Sequence, residues 1–139
     1  MKDYIGVKLV QAEPETRHKE GGGYEAGYKV VYPDGYVSWS PKEVFEKAYL
    51  EAGENHTVTQ DMVNQFIEAT VCETYGEKTA VVHMHLVNGF VLTDASSCVD
   101  PINYDLQMGS DIAIRRLKDK VWGYLGFLLQ CGVKGVRRQ

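Results

Sequence analysis

What the 139-residue chain lacks narrows the field before any motif is considered. It has no run of the ~18–20 apolar residues that a membrane-spanning helix needs. Its first residues, MKDYIG, show no apolar signal-peptide core. Neither export nor a membrane partner is therefore expected. The three cysteines, Cys72, Cys98 and Cys131, include no CxxC pair, and an odd number makes a poor disulfide framework, so an intracellular, reducing compartment is expected. A P-loop, a GxGxxG fingerprint and a GxSxG elbow are all missing. Phosphate-loop, Rossmann and acyl-enzyme chemistries thus have no support in the pattern.

Positive charge is scarce and confined. The net charge is −4, but residues 1–108 hold 8 Lys/Arg against 17 Asp/Glu, whereas residues 109–139 hold 7 against 2. Coating of long nucleic acid rests on broad phosphate neutralisation, and this balance excludes it. A local basic patch suits a small anion instead. With 44% hydrophobic and 24% charged residues, the chain has an ordinary globular composition and can bury a core without staples.

The periodicities predict an α+β fold in two modules: a β-rich module over 1–52 and an α+β domain over 57–139, joined by the short polar AGENHTVT segment. YIGVKLVQAEP alternates Ile5, Val7 and Leu9 and reads as a strand that stops at Pro14. ETRHKEGGGYEAG reads as a mobile loop, and GYKVVYPDGYVSWS as two strands around a Pro33-Asp34-Gly35 turn. Ser40, Pro41 and Glu43 predict a cap and start for a helix through Ala52 with Val44, Ala48 and Phe45 inward. Thr57 or Thr59 then caps a helix through Met62 and Phe66 to about Cys72. TAVVHMHLV and FVLTDA flank Asn88-Gly89, a type I′ hairpin signal. Val82, Met84 and Leu86 fall on one face, His83 and His85 on the other. A long helix from about Ser110 to Gln130 carries an apolar stripe of Ile114, Leu117, Val121, Leu125 and Leu128.

Chemistry-bearing residues are few. His83 and His85, at i and i+2, lack a third ligand, so no metal site is expected. The Ser96-Ser97-Cys98 run has no catalytic context, and no catalytic residue is expected either. The long helix is more informative, because Arg115, Arg116, Lys118 and Lys120 cluster within two turns of one another. Arginine binds phosphate as a planar fork and also stacks on bases. Near them in sequence stand Phe90 after the Asn-Gly turn, and Asp100, Asn103 and Tyr104 before the helix. A ring, base-edge groups and arginines are the parts a nucleotide site requires. Gly123 and Gly126 inside the helix cost ~1 kcal/mol each relative to alanine, which predicts close packing there, by the same chain or by a second subunit.

NGFVLTDASSCVDPINYDLQMG, followed by a helix reaching VWGYLGFLL, resembles a family of small tailed-phage proteins. Their usual form is an Asn-Gly-Phe turn, a Ser-x-Cys-Val-Asp-Pro-x-Asn-Phe/Tyr-Asp stretch, and a glycine opening a helix that ends in Trp and Gly-Tyr. The likeness covers about residues 57–130. Residues 3–50 are similar to a module that phage genomes attach to more than one partner domain. The combined family includes phage Thoeris anti-defence proteins of the first type.

The resemblance implies a phage anti-defence protein in the host cytoplasm that sequesters a cyclic nucleotide immune signal without cleaving it. The signal implied is glycocyclic ADP-ribose from TIR enzymes, with CBASS cyclic oligonucleotides in a separate pocket. It also implies a homo-oligomer with no cofactor. The ligand-binding residues it points to are Asn88 and Phe90 near the base, Asp100 and Asn103 at base or ribose edges, and Arg115 and Arg116 on the pyrophosphate. Arg17 is the candidate for the second pocket. Many relatives carry Ala where Leu117 stands and different charges at 115 and 116, so the pocket wall differs here. Two other readings make separate predictions. An accessory module for host protein or DNA would use the basic tail from Lys134 to Arg138, and a hydrolase of the same signal would use His83 and His85.

Overall fold

The computed structural model describes residues Met1–Arg137; Arg138, the end of the basic tail, lies outside the described residues. The fold is α+β, with three helices and small antiparallel sheets. Two compact units are present: Met1–Ala52 together with the chain from Leu128, and Gly53–Phe127.

The first unit contains strands β1 (Gln11–Pro14), β2 (Arg17–His18), β3 (Tyr24–Glu25), β4 (Gly27–Val31) and β5 (Val37–Pro41), then helix α1 (Lys42–Ala48). Strands β1, β4 and β5 form a sheet in the order β1-β4-β5, while β2 and β3 pair separately. Of the strand expected from Tyr4 to Pro14 only the last four residues form: pairing starts at Gln11 and ends at Pro14 as expected, and Tyr4 and Ile5 are almost fully exposed. The alternation is present, but no described strand lies opposite to accept it. The stretch expected as a loop is instead a hairpin, with Gly21, Gly22 and Gly23 all at positive φ turning β2 into β3. Helix α1 also differs from expectation. Ser40 and Pro41 belong to β5, so Ser40 provides no side-chain cap, and Val44 and Ala48 face solvent. The helix is held through Phe45, whose ring stacks on Tyr28 at 4.3 Å and on Tyr49 at 4.8 Å.

The second unit holds α2 (Gln60–Phe66), strands β6 (Ile67–Tyr75), β7 (Thr79–Leu86) and β8 (Val91–Ser97), a single 3₁₀ turn (Pro101–Asn103), and most of α3 (Leu106–Lys134). Thr59 caps α2 by accepting from the Met62 N–H. The helix ends at Phe66, six residues short of Cys72, and the chain passes directly into β6. Ladder bonds and cross-strand contacts with β7 outweigh the helical spacing of Phe66, Ile67 and Ala69. Strand β7 shows the expected alternation: Ala80, Val82, Met84 and Leu86 are buried, with residues 81, 83 and 85 partly exposed on the other face. Against that buried face α3 contributes Ala113, Leu117, Val121 and Leu125, all 2% exposed or less. Leu128, expected in the stripe, is exposed. Gly109 allows the close approach of helix and sheet, since a Cβ there would lie 2.8 Å from the Ala80 Cβ.

The β7–β8 turn is not type I′. That turn needs positive φ at both central residues, and Asn88 lacks it. Instead the Gly89 N–H donates to Leu86 O, the Leu86 N–H donates to Phe90 O, and Gly89 alone has positive φ (89°). This is a tight turn at Val87-Asn88 closed by a glycine bulge. The β4–β5 turn repeats it, with Gly35 (φ 88°) donating to Tyr32 O and the Tyr32 N–H to Tyr36 O.

Candidate functional site

In the second unit the Asn88 side chain is fixed by the turn, its Oδ1 accepting from the Phe90 N–H at 3.1 Å. The identical bond in the other hairpin joins Asp34 Oδ1 to the Tyr36 N–H at 3.0 Å. Asn88 is thus chosen at least partly for turn chemistry. Phe90 leaves the turn 56% exposed and meets Tyr124 of α3 edge to face, with ring centroids 6.2 Å apart.

Arg116 lies against β8. Its Nε donates to Asp94 Oδ2 at 2.7 Å and its Nη2 to Ala95 O at 2.6 Å. The Ala95 N–H donates to Asp94 Oδ1 at 2.8 Å. The guanidinium therefore joins helix to strand edge, and its hydrogen bond is the main cause holding the Asp94 carboxyl below the usual carboxylate range. Lys120 adds a smaller Coulomb contribution in the same direction. Residues 116, 120 and 124 are spaced i, i+4, i+8, so Arg116, Lys120 and Tyr124 form one row along α3. At 1.5 Å per residue the row is about 12 Å long, bordered by Asp94 and Ala95 at one end and Phe90 at the other. Arg115 is exposed and lies one position round the helix.

Asp100 and Asn103 stand elsewhere. Strand β8 separates the Asn88–Phe90 turn from them, and its length of about 20 Å puts them at the opposite end of the sheet. Both residues are built into the turn: Asp100 Oδ1 accepts from the Ile102 N–H, and the Asn103 N–H donates to Asp100 O. Asn88 and Phe90 therefore share one turn, which meets α3 at Tyr124, while Arg116 lies about 12 Å along the helix from there and Arg115 points to a different side of it; Asp100 and Asn103 stand at the other end of the sheet.

Arg17 belongs to the first unit. Its guanidinium carbon lies 3.6 Å over the Trp39 ring, and its Nη2 is 3.9 Å from Glu25 Oε2. Trp39 is held in turn by its indole N–H donating to Glu15 O at 2.8 Å. A cation stacked on a fixed ring is well placed on that hairpin.

His83 uses both ring nitrogens, Nδ1 with Thr93 Oγ1 and Nε2 with Glu73 Oε1, each at 2.9 Å. It forms a rung across three strands. Among the described residues no group of His, Cys, Asp and Glu is arranged to hold a metal ion. Among the described residues an added Cβ at Gly123 or Gly126 would meet nothing within 4 Å, so packing by those residues does not account for these glycines. Asp94 and Tyr124 are the residues the sequence pattern does not announce. Asp94 sits within a strand read only for its alternation, and the one available signal for Tyr124 is its i+8 spacing from Arg116.

Among the described residues no helix is long and apolar enough to cross a membrane. No curated protein and no solved structure matches the chain. A family model does match, over residues 58–133, more than half of the chain and all the elements that build the Arg116–Phe90 row. The chain belongs to the phage protein (N4 Gp49/phage Sf6 gene 66) family.

Proposed function

We propose that this phage protein binds a cyclic nucleotide immune signal in the host cytoplasm and holds it unchanged. Glycocyclic ADP-ribose is the first candidate, and CBASS cyclic oligonucleotides are the second. The observation that carries the reading is the row along α3: two cations, Arg116 and Lys120, in line with two exposed rings, Tyr124 and Phe90. Arg116 is already fixed by Asp94 and Ala95, so its remaining N–H donors are preorganised for a phosphate oxygen. Arg115 supplies a second fork from the adjacent helix position. Phe90 and Tyr124 offer ring faces and edges to a base, with Asn88 beside them. A dianion of this size needs a short basic row and not a basic surface, which agrees with an acidic total charge. Resemblance to the Thoeris anti-defence proteins supports the choice of ligand.

The test is mass spectrometry of small molecules released by heat from protein purified out of cells with an active TIR enzyme, and separately out of cells with an active CBASS cyclase. A released signal of unchanged mass is expected, and Phe90→Ala or Lys120→Ala should reduce its amount at least ten-fold. A cleaved product would favour a hydrolase using His83. Protein empty from both sources, combined with a DNA gel shift that survives about 0.2 M salt, would replace the reading with the accessory DNA-binding module.

A further inference from the structure

The two edges of the β6-β7-β8 sheet are treated differently. On β8 the N–H and C=O of Ala95 both point away from β7, and both are bonded to side chains, the N–H to Asp94 and the C=O to Arg116. That edge is closed at its middle. Strand β6 forms the other edge. It is nine residues long, exposed from Glu68 to Tyr75, and among the described residues its outer backbone groups are bonded to no other element. A long open edge is a template for a further strand, and natural proteins normally blunt it with charge, proline or a covering element. Strand β6 has no proline, its one irregularity lies at its start between Ile67 and Ala69, and Glu73 is turned along its own sheet onto His83 Nε2.

We infer that the outer edge of β6 pairs antiparallel with β6 of a second copy, giving one continuous six-stranded sheet. The argument for a second copy is the self-complementarity of the strand. With the two-fold axis at Val71, Val71 faces itself, Thr70 faces Cys72 and Ala69 faces Glu73; the register against β7 shifts between Ile67 and Ala69, so the regular pairing ends at Ala69. No like charges stand opposite one another, although the strand holds two glutamates and no cation. The exposed side chain at the axis also matches: Val71 is 49% exposed, and the pairing sets it on its own copy. An axis perpendicular to the sheet puts both α3 helices on the same face, away from the new pairing.

The test uses the full chain in analytical ultracentrifugation. The wild type should have a mass that is an even multiple of 15.6 kDa. Val71→Lys places two ammonium groups opposite each other at the axis and should halve that mass with an unchanged circular dichroism spectrum. Because Val71 faces itself, Val71→Cys in a Cys72→Ser background should form an intermolecular disulfide in nearly all molecules on mild oxidation; a paired strand sets the Cα atoms within bridging distance. Phe127→Asp, on the exposed part of α3, should leave the mass unchanged. A 15.6 kDa species at all concentrations overturns the proposal. So does a Val71→Lys variant with the wild-type mass and no cross-link at position 71, or a mass that depends on Phe127 or on residues 1–8 instead.

Discussion

Replacing Arg116 with alanine separates what the residue does for the fold from what it does for a ligand. The guanidinium makes two charge-assisted bonds, to Asp94 Oδ2 and to Ala95 O, on a side chain that is half exposed. Solvent screening limits the ion pair to ~0.5–1 kcal/mol, and the bond to the carbonyl contributes ~1 kcal/mol. Arg116→Ala should therefore destabilise the ligand-free protein by ~1–2 kcal/mol, a fall in Tm of ~3–8 °C for a chain of this size. Asp94→Ala should cost ~0.5–1 kcal/mol, because it removes the ion pair and the exposed bond from the Ala95 N–H but leaves the Arg116 bond to Ala95 O in place. Thermal melts of both single variants and the double variant give the coupling directly. A coupling of ~0.5–1 kcal/mol is expected, and Arg116→Lys should recover less than half of the loss because an ammonium lacks the fork. Additive effects, or an Arg116→Ala protein as stable as wild type, would refute the idea that this arginine closes the β8 edge.

Acid should remove the same contribution. The folded pKa of Asp94 lies below its unfolded value, chiefly through the bond to Arg116, so its stabilisation is fully present above pH ~4 and is lost as pH falls through the lowered value. Urea midpoints from pH 6 to pH 2.5 should show a smaller acid loss in Arg116→Ala than in wild type. Gly109→Ala places a Cβ against the Ala80 Cβ and should cost ~1–3 kcal/mol by overpacking; adding Ala80→Gly should return part of this, as read by chemical denaturation. Leu117→Ala removes a fully buried side chain beneath the sheet, and the expected loss is ~3–5 kcal/mol. A midpoint shift under 1 kcal/mol would mean that the helix is not packed as described.

Reading residues alone recovers what local physics controls. The period-two pattern of Ala80, Val82, Met84 and Leu86 placed their side chains on the buried face, because pleating alternates whatever the partner strand. The spacing of Leu117, Val121 and Leu125 likewise gave the packed face of α3. Asn88-Gly89 located a hairpin, and of the two threonines that could start the next helix, Thr57 and Thr59, it is Thr59 that caps it. The Asn-Gly-Phe and Cys-Val-Asp-Pro stretches pointed to a phage family, and the family match covers them.

Other outcomes depended on partners distant in the chain. Ile67–Cys72 carries enough helical spacing to suggest a continued helix, and it is a strand because β7 offers a ladder from Ile67 to Tyr75. Ile5–Leu9 has a strand's alternation and forms none, because nothing described pairs with it. The type of the Asn88-Gly89 turn was set by the register in which β7 meets β8, which requires one positive φ and not two. The same holds for the candidate site. Sequence proximity grouped Asp100 and Asn103 with Phe90, but seven residues of extended chain hold them at opposite ends of a sheet. Arg116 and Asp94 lie 22 residues apart and share a 2.7 Å bond. The sequence by itself determined the α+β class, the buried face of β7, that of α3 from Leu117 to Leu125, and the family, since those follow from short-range periodicity and rare local motifs. Only the tertiary structure decided which edge is closed, which is open, and which cations and rings share one row, since these depend on contacts between residues far apart in the chain.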